Sequence, residues 1–287
     1  MRRLRIEHAT RYRYRNAVLP GPHKLLLRPR EGHDLRIESS RLDISPPCRL
    51  KWYRDVYGNS VGAATFADTA TELAIVSEVV IEHYEEAPLD FIVDPHAVMF
   101  PFPYGPEDRA DLIPYLLPNS SSDSTALSEW VARFWSPGRI IETYVLLDAM
   151  NRAICAEFEY VVREEPGVQS PAETLRGRSG SCRDFAALFI DACRCLGLAA
   201  RFVSGYRHAP LLDGVHAATH AWSEVYLPGA GWKGFDSTGG EVVGHHHIAT
   251  AVSRHPEAVP PVSGSYGGDP GGPPQISVDV VVSDVGG

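Results

Sequence analysis

Through the first hundred residues, apolar and polar positions trade places roughly every second residue. The runs 35–38, 42–44, 50–53, 72–76 and 78–82 are rich in β-branched and aromatic side chains, with Pro46-Pro47 and Gly58-Asn59 as punctuation. Arg11-Tyr12-Arg13-Tyr14-Arg15 keeps the same period and reads as a half-buried strand with one solvated face. Short strands at this spacing predict an antiparallel β-sandwich or barrel over residues 1–115. No cluster of chemically active residue types falls within it, so it is expected to be a packing or recognition module. Phe100-Pro101-Phe102-Pro103-Tyr104-Gly105-Pro106 is an extended connection, and the domain boundary is expected just beyond it.

The period then lengthens. After the turn-and-cap chemistry of Asn119-Ser120-Ser121-Ser122-Asp123, Leu127, Trp130, Val131 and Phe134 recur at helical spacing up to Pro137-Gly138. Ile141, Val145, Leu146, Met150 and Ile154 mark the core face of a second helix, and Phe158-Glu159-Tyr160 has strand character. Ser170-Pro171-Ala172-Glu173 opens a short helix, with Ser at the N-cap, Pro at N1 and Glu at N3. Helices followed by β-rich chain predict an α+β domain over residues 116–287. A strand at Ile276-Ser277-Val278-Asp279-Val280-Val281-Val282 should close it, and the Pro-, Gly- and Ser-rich stretch 256–274 before that strand reads as a surface excursion.

The most legible helix starts at Ser181. Phe185, Leu188, Phe189, Ala192, Cys193 and Leu196 form one apolar stripe, Gly197 stops it, and Ser181 with Asp184 makes a capping-box pair. Cys193 lies on the stripe and is a core residue. Cys182 precedes it, at or near N1, where the positive end of the helix dipole favours a thiolate. A thiolate nucleophile needs a base and a group to orient that base. Thr219-His220-Ala221-Trp222-Ser223-Glu224-Val225-Tyr226-Leu227, the turn Pro228-Gly229-Ala230-Gly231 and the return Trp232-Lys233-Gly234-Phe235-Asp236 read as a hairpin. That hairpin would bring His220 and Asp236 onto neighbouring strands, giving a candidate triad Cys182, His220, Asp236. The backbone amide of Cys182 is one oxyanion donor by its place at a helix start; Gln169, Tyr160 and Trp222 carry groups suited to a second.

Four blocks in order, Gly-Ser-Cys-Arg-Asp-Phe-Ala, Ala-Arg-Phe-Val-Ser-Gly-Tyr, Thr-His-Ala-Trp-Ser-Glu-Val-Tyr-Leu and Gly-Trp-Lys-Gly-Phe-Asp, resemble the bacterial transglutaminase-like family. The family's nucleophile, histidine and acidic partner fall on Cys182, His220 and Asp236. Leu27-Arg28-Pro29-Arg30 and Asp55-Val56-Tyr57-Gly58-Asn59 resemble the β domain that often precedes its catalytic core. The resemblance implies a papain-like arrangement, with the cysteine helix packed on the sheet that carries the other two residues. It also implies acyl transfer or hydrolysis at a peptide or glutamine carboxamide through a cysteine thioester. Ser237-Thr238-Gly239 departs from the Pro-Thr-Asn that relatives commonly carry after the aspartate.

Composition narrows the partners. A formal net charge of −9 argues against nucleic acid and anionic membranes, and no apolar run approaches the roughly 18 residues of a membrane span. With no signal-peptide core and five cysteines in no spaced framework, the expected location is the cytoplasm. The expected partner is a peptide or protein substrate, with an amine as a second acceptor, and no cofactor. Glu164-Glu165 would lend local acidity beside the cleft. His245-His246-His247, with His216, Cys193 and Cys195 as recruits, raises a metal reading; contiguous histidines on an extended segment point to different sides, so no metal is expected. A non-catalytic binding module and a zinc-binding structural protein are the alternatives from other classes.

Overall fold

The computed structural model describes residues 1–118, 124–163, 165–208 and 219–286; the cap segment Asn119–Asp123, Glu164 and His216 lie outside these. Five strands lead: β1 (Arg2–Leu25), β2 (Leu35–Ser45), β3 (Cys48–Arg54), β4 (Ser60–Phe66) and β5 (Ala70–His83). The short strand β6 (Met99–Phe100) leads into α1 (Pro106–Leu116) and α2 (Ser124–Val131). Next come β7 (Ile141–Glu142), α3 (Thr143–Glu157), β8 (Glu159–Tyr160), α4 (Pro171–Gly177), β9 (Ser179–Gly180) and α5 (Cys182–Cys195). The chain ends in strands β10 (Ala200–Arg207), β11 (Thr219–Leu227), β12 (Gly231–Asp236), β13 (Glu241–Val242), β14 (His247–Ser253), β15 (Val262–Gly267) and β16 (Gln275–Asp284). This is a mixed α+β fold dominated by antiparallel pairing.

The first sheet runs β2-β5-β1-β4-β3, and β1 is its spine. Residues Arg2–Arg13 of β1 pair with β5, and after a register shift residues 23–25 pair with β4. The chain's last two strands return to the same spine: β16 pairs with Leu4–Arg13 and β15 with Leu19–Leu25. The stretch expected to be a surface excursion therefore contains a strand. Its Val-Ser-Gly-Ser-Tyr-Gly sequence sets two strand formers among glycines and serines, and the ladder with β1 supplies what those residues lack.

The second sheet runs β13-β12-β11-β10-β14, and α5 lies on it. Leu188, Phe189, Ala192 and Cys193 of α5 share one core with Phe202, Val225 and Phe235 of the sheet and with Leu146, Met150 and Ile154 of α3. Because α2, α3 and α4 cover its other side, α5 is buried all round: Asp184, Asp191 and Arg194 are buried along with the stripe. Val145 is 46% exposed, because α3 begins only at Thr143 and turns Leu146, Leu147 and Met150 inward instead.

The two sheets are docked rather than tethered. Leu4, Ile6, Val79 and Ile81 of the first share a buried cluster with Tyr206 and Ile248 of the second. The two stretches resembling the family's β domain form the joint. Asp55 accepts from the Asn59 backbone N–H (2.9 Å) and amide (2.9 Å), holding Asn59 so that it exchanges bonds with the Val252 carbonyl (2.8 Å) and N–H (2.9 Å). Arg30 donates to Asn59 Oδ1 (2.6 Å), and its own N–H bonds the Ala249 carbonyl (2.8 Å). Among the described residues, no helix is long and apolar enough to cross a membrane.

Candidate active site

Cys182 is the first residue of α5, partly exposed on the wall of a cleft of about 880 Å³. Its position is set by Asp184, whose side chain is fully buried. That carboxylate accepts from the Ser181 N–H (2.8 Å) and Oγ (2.7 Å), from the Gln169 N–H (2.8 Å), and from Arg163 Nη1 at 2.8 and 2.9 Å. One side chain thus ties the helix start to the loop before it. Burial opposes the charge, but the backbone donors of Ser181 and Gln169, with Arg163, hold the carboxyl below its ordinary range. Gly180 has to be glycine, because a Cβ there would stand 2.9 Å from the Asp184 Cβ. Asp184→Ala would take from the half-buried Arg163 its closest carboxylate, leaving only Glu165 at 3.8 Å, and would open the N-cap. The expected loss is on the order of 3 kcal/mol in urea unfolding, of the size seen when one partner of a buried pair is removed.

The hairpin register delivers the other two groups. Ser223 pairs with Phe235, so Asp236 is level with Trp222, and His220 is its diagonal neighbour on the same face. His220 Nε2 is 2.8 Å from Asp236 Oδ2. Cys182 lines the same cleft as His220, and Nδ1 is the ring nitrogen that the bond to Asp236 leaves free. Burial works against the imidazolium, yet the bonds to Asp236 and Cys182 outweigh it and raise His220 to about 9. For Asp236, burial is likewise outweighed by the hydrogen bonds from His220 and His247, which hold it well below the carboxylate range.

These shifts have a sign in stability. A histidine raised from 6.5 to about 9 contributes stability that is complete below about pH 6.5 and is lost as pH rises through about 9. The loss is on the order of 3 kcal/mol. Urea unfolding of wild type should weaken between pH 7 and 10, and His220→Gln should flatten that slope.

The candidate second oxyanion donors separate. Tyr160 lines the cleft and is 49% exposed, brought there by parallel pairing of β8 with β9. Burial first, and then the charges of Cys182 and Asp236, raise its hydroxyl. Gln169 spends its N–H on Asp184 and accepts from Thr174 Oγ1 at 3.0 Å; its neighbour Val168 lines the cleft, and Gln169 does not. Trp222 is 1% exposed and stands behind the cleft, its ring centroid 6.2 Å from that of His220 and 5.3 Å from that of His247.

Sequence reasoning missed His247, Arg207 and Thr238. Asp236 Oδ2 is 3.1 Å from His247 Nε2 and 3.7 Å from Arg207 Nε, while Oδ1 accepts the Thr238 N–H at 2.9 Å. The departure at Ser237-Thr238 is absorbed, since Ser237 Oγ bonds Asn151 (2.8 Å) and the Thr238 amide still caps the carboxylate. A visible signal for His247 was its place in the histidine run, read there only for metal. His220, Asp236 and His247 do place ligand-type atoms within 4.8 Å of one another. Donors sharing a zinc ion at about 2.0 Å would stand roughly 3.3 Å apart. The contacts of 2.8 and 3.1 Å, and the Arg207 cation beside the same oxygen, fit proton sharing instead.

A β module docked on a papain-like core, with a cysteine at a helix tip facing a histidine–aspartate pair, defines the transglutaminase-like cysteine protease fold. The comparisons agree. The bacterial transglutaminase-like N-terminal region matches residues 4–82, and the transglutaminase-like superfamily core matches residues 142–237. An uncharacterized protein of Mycobacterium tuberculosis is 30% identical over 299 aligned positions, covering 97% of this chain and 92% of its own length. Another, from Mycobacterium leprae, is 26% identical over 280 positions, with 93% and 94% covered. A solved protein of Cytophaga hutchinsonii, provisionally named a cysteine protease, shares the fold with a TM-score of 0.72 at 21% identity, across 100% of this chain and 91% of that one. The chain belongs to the bacterial transglutaminase-like family.

Proposed function

We propose that the protein is a thiol enzyme acting on a peptide bond or glutamine carboxamide, with Cys182 as nucleophile, His220 as base and then acid, and Asp236 as orienting group. The reading is carried by the 2.8 Å His220–Asp236 pair beside Cys182 on one cleft. With the thiol proton already taken up by His220 Nδ1, the Cys182 thiolate bonds the carbonyl carbon and the C=O π pair moves onto the oxygen. The Cys182 N–H, unpaired within the helix at its first turn, and the Tyr160 hydroxyl are the donors for the oxyanion. Collapse breaks the C–N bond, His220 returns its proton to the leaving nitrogen, and a thioester remains on Cys182. Water, activated by His220, then releases the acid; an amine acceptor would give transamidation. Hydrolysis is favoured because Cys182 is partly exposed, leaving the thioester within reach of water. The substrate is a peptide or protein, since the net charge of −9 offers nothing to nucleic acid.

The test is intact mass after incubation with glutamine-containing peptides, with and without a primary amine. A peptide adduct lacking ammonia on wild type, absent in Cys182→Ala, supports the reading; an unmodified wild-type protein and unconverted peptides across a diverse peptide set count against it. Product carrying the amine would move the assignment to transamidation.

A further inference from the structure

The geometry points to His247, buttressed by His83 of the first sheet, as the positioning residue that fixes the Asp236 carboxylate, making the amino-terminal β module part of the working site. This inference rests on the reading of Cys182, His220 and Asp236 as the catalytic groups. An aspartate that orients a histidine must itself be prevented from turning. Asp236 is fully buried, its Oδ1 is held by the Thr238 N–H (2.9 Å), and its Oδ2 is shared between His220 (2.8 Å) and His247 (3.1 Å). Arg207 cannot replace His247, because its Nε stands 3.7 Å away and its Nη2 is committed to Glu241 at 2.7 Å.

The protons are arranged for this role. The Gly244 N–H donates to His247 Nδ1 (3.4 Å), which makes Nδ1 an acceptor and leaves the ring proton on Nε2, aimed at Asp236. His247 thereby donates from Nε2, and the carboxylate it holds still faces the His220 ring. The charged and titratable groups around His247 are Asp236, His220, Arg207, His83, His246 and Glu241, the last with Oε1 3.9 Å from Nε2.

The same pattern repeats one step further out. His83, 3% exposed at the end of β5, bonds the His247 carbonyl through Nε2 at 3.2 Å, while the Glu85 N–H donates to its Nδ1 at 3.3 Å. Two imidazoles, each with Nδ1 capped by a backbone amide and each giving Nε2–H inward, connect the first sheet to the aspartate. Gly205 makes room for the rings. A Cβ there would overlap the Ile248 carbonyl and stand 2.7 Å from the Trp222 ring that packs edge-on against His247.

The experiment is the pH dependence of iodoacetamide alkylation at Cys182, followed by mass spectrometry of its peptide so that the other four cysteines do not interfere, in wild type, His247→Phe, His247→Gln and His83→Phe. Circular dichroism checks that each variant is folded. Wild type should show a reaction wave at acid pH from thiolate paired with imidazolium. In His247→Phe, which keeps a ring but no donor, the wave should move up by at least one pH unit, which is about tenfold slower alkylation on its acid limb. His247→Gln, whose amide can donate without charge, should restore most of the rate, and His83→Phe should give a smaller loss of the same sign. A folded His247→Phe that superimposes on wild type overturns the inference and leaves the triad standing, as does a His247→Gln no better than His247→Phe. A wild type with no acid wave removes both.

Discussion

Cys182→Ala is expected to erase the thioester adduct and to lower turnover of any responsive peptide by roughly 10⁵-fold or more, the scale on which removal of a triad nucleophile acts. The fold should survive the change. Cys182 stands at the helix tip and packs only on the edge of the core that holds Phe185, Leu188 and Phe189, and the Asp184 bonds that cap the helix involve Ser181, Gln169 and Arg163 instead. Alanine is also the best helix former, so unfolding free energy should change by less than about 1 kcal/mol. Cys182→Ser is a sharper control, since it keeps size and polarity but offers a hydroxyl that His220 ionises far less readily than a thiol. Both variants also remove the thiol that helps lift His220 to about 9, so the imidazole should titrate lower by NMR in each. A Cys182→Ala protein retaining a hundredth of wild-type turnover would mean that another group performs the attack.

The parts of this molecule that could be read from sequence are those whose causes are local. The α5 stripe, the Ser181–Asp184 cap and the turn at Pro228–Gly231 lie within a few residues of one another, and the hairpin that joins His220 to Asp236 follows from that turn. What escaped depends on chain closing over distance. His247 reaches Asp236 only because the chain leaves β12, curls round the sheet end through β13 and returns as β14 on the far side of β10. Its neighbours in sequence do turn elsewhere, as an extended segment requires: His246 Nδ1 lies 3.3 Å from Arg2, and its ring stacks with that of His208. The β1 spine was hidden by Leu19-Pro20-Gly21-Pro22, which reads as a turn yet continues the strand with a register shift where it meets β15. Helix α1 opens on the charged run Glu107-Asp108-Arg109-Ala110-Asp111, has Pro114 inside it and buries only Leu112, so no periodicity announced it. Cap residues such as Asn59 and Asp184 were visible as motifs, but their work is inter-segment: one joins two sheets and the other joins a loop to the nucleophile's helix.

Asp236→Asn should cost nearly as much activity as loss of the cysteine, about 10⁴-fold in kcat, while changing no residue volume. Three donors converge on the native carboxylate: His220 Nε2 and His247 Nε2 on Oδ2, and the Thr238 N–H on Oδ1. An asparagine must turn its NH₂ toward one side. Facing Thr238 it sets donor against donor in a buried pocket, a penalty of about 1–3 kcal/mol. Facing the imidazoles it forces His220 to accept at Nε2 and carry its proton on Nδ1, the nitrogen that has to take the proton from Cys182. The base is then in the wrong tautomer with its position intact. Removing the negative charge also removes the partner that outweighs burial, so His220 should fall from about 9 to below its ordinary value. The two measurements that check this are the peptide turnover rate and the His220 titration by NMR. An Asp236→Asn enzyme within about tenfold of wild type, or an imidazole still titrating near 9, would show that the carboxylate neither orients nor charges the ring.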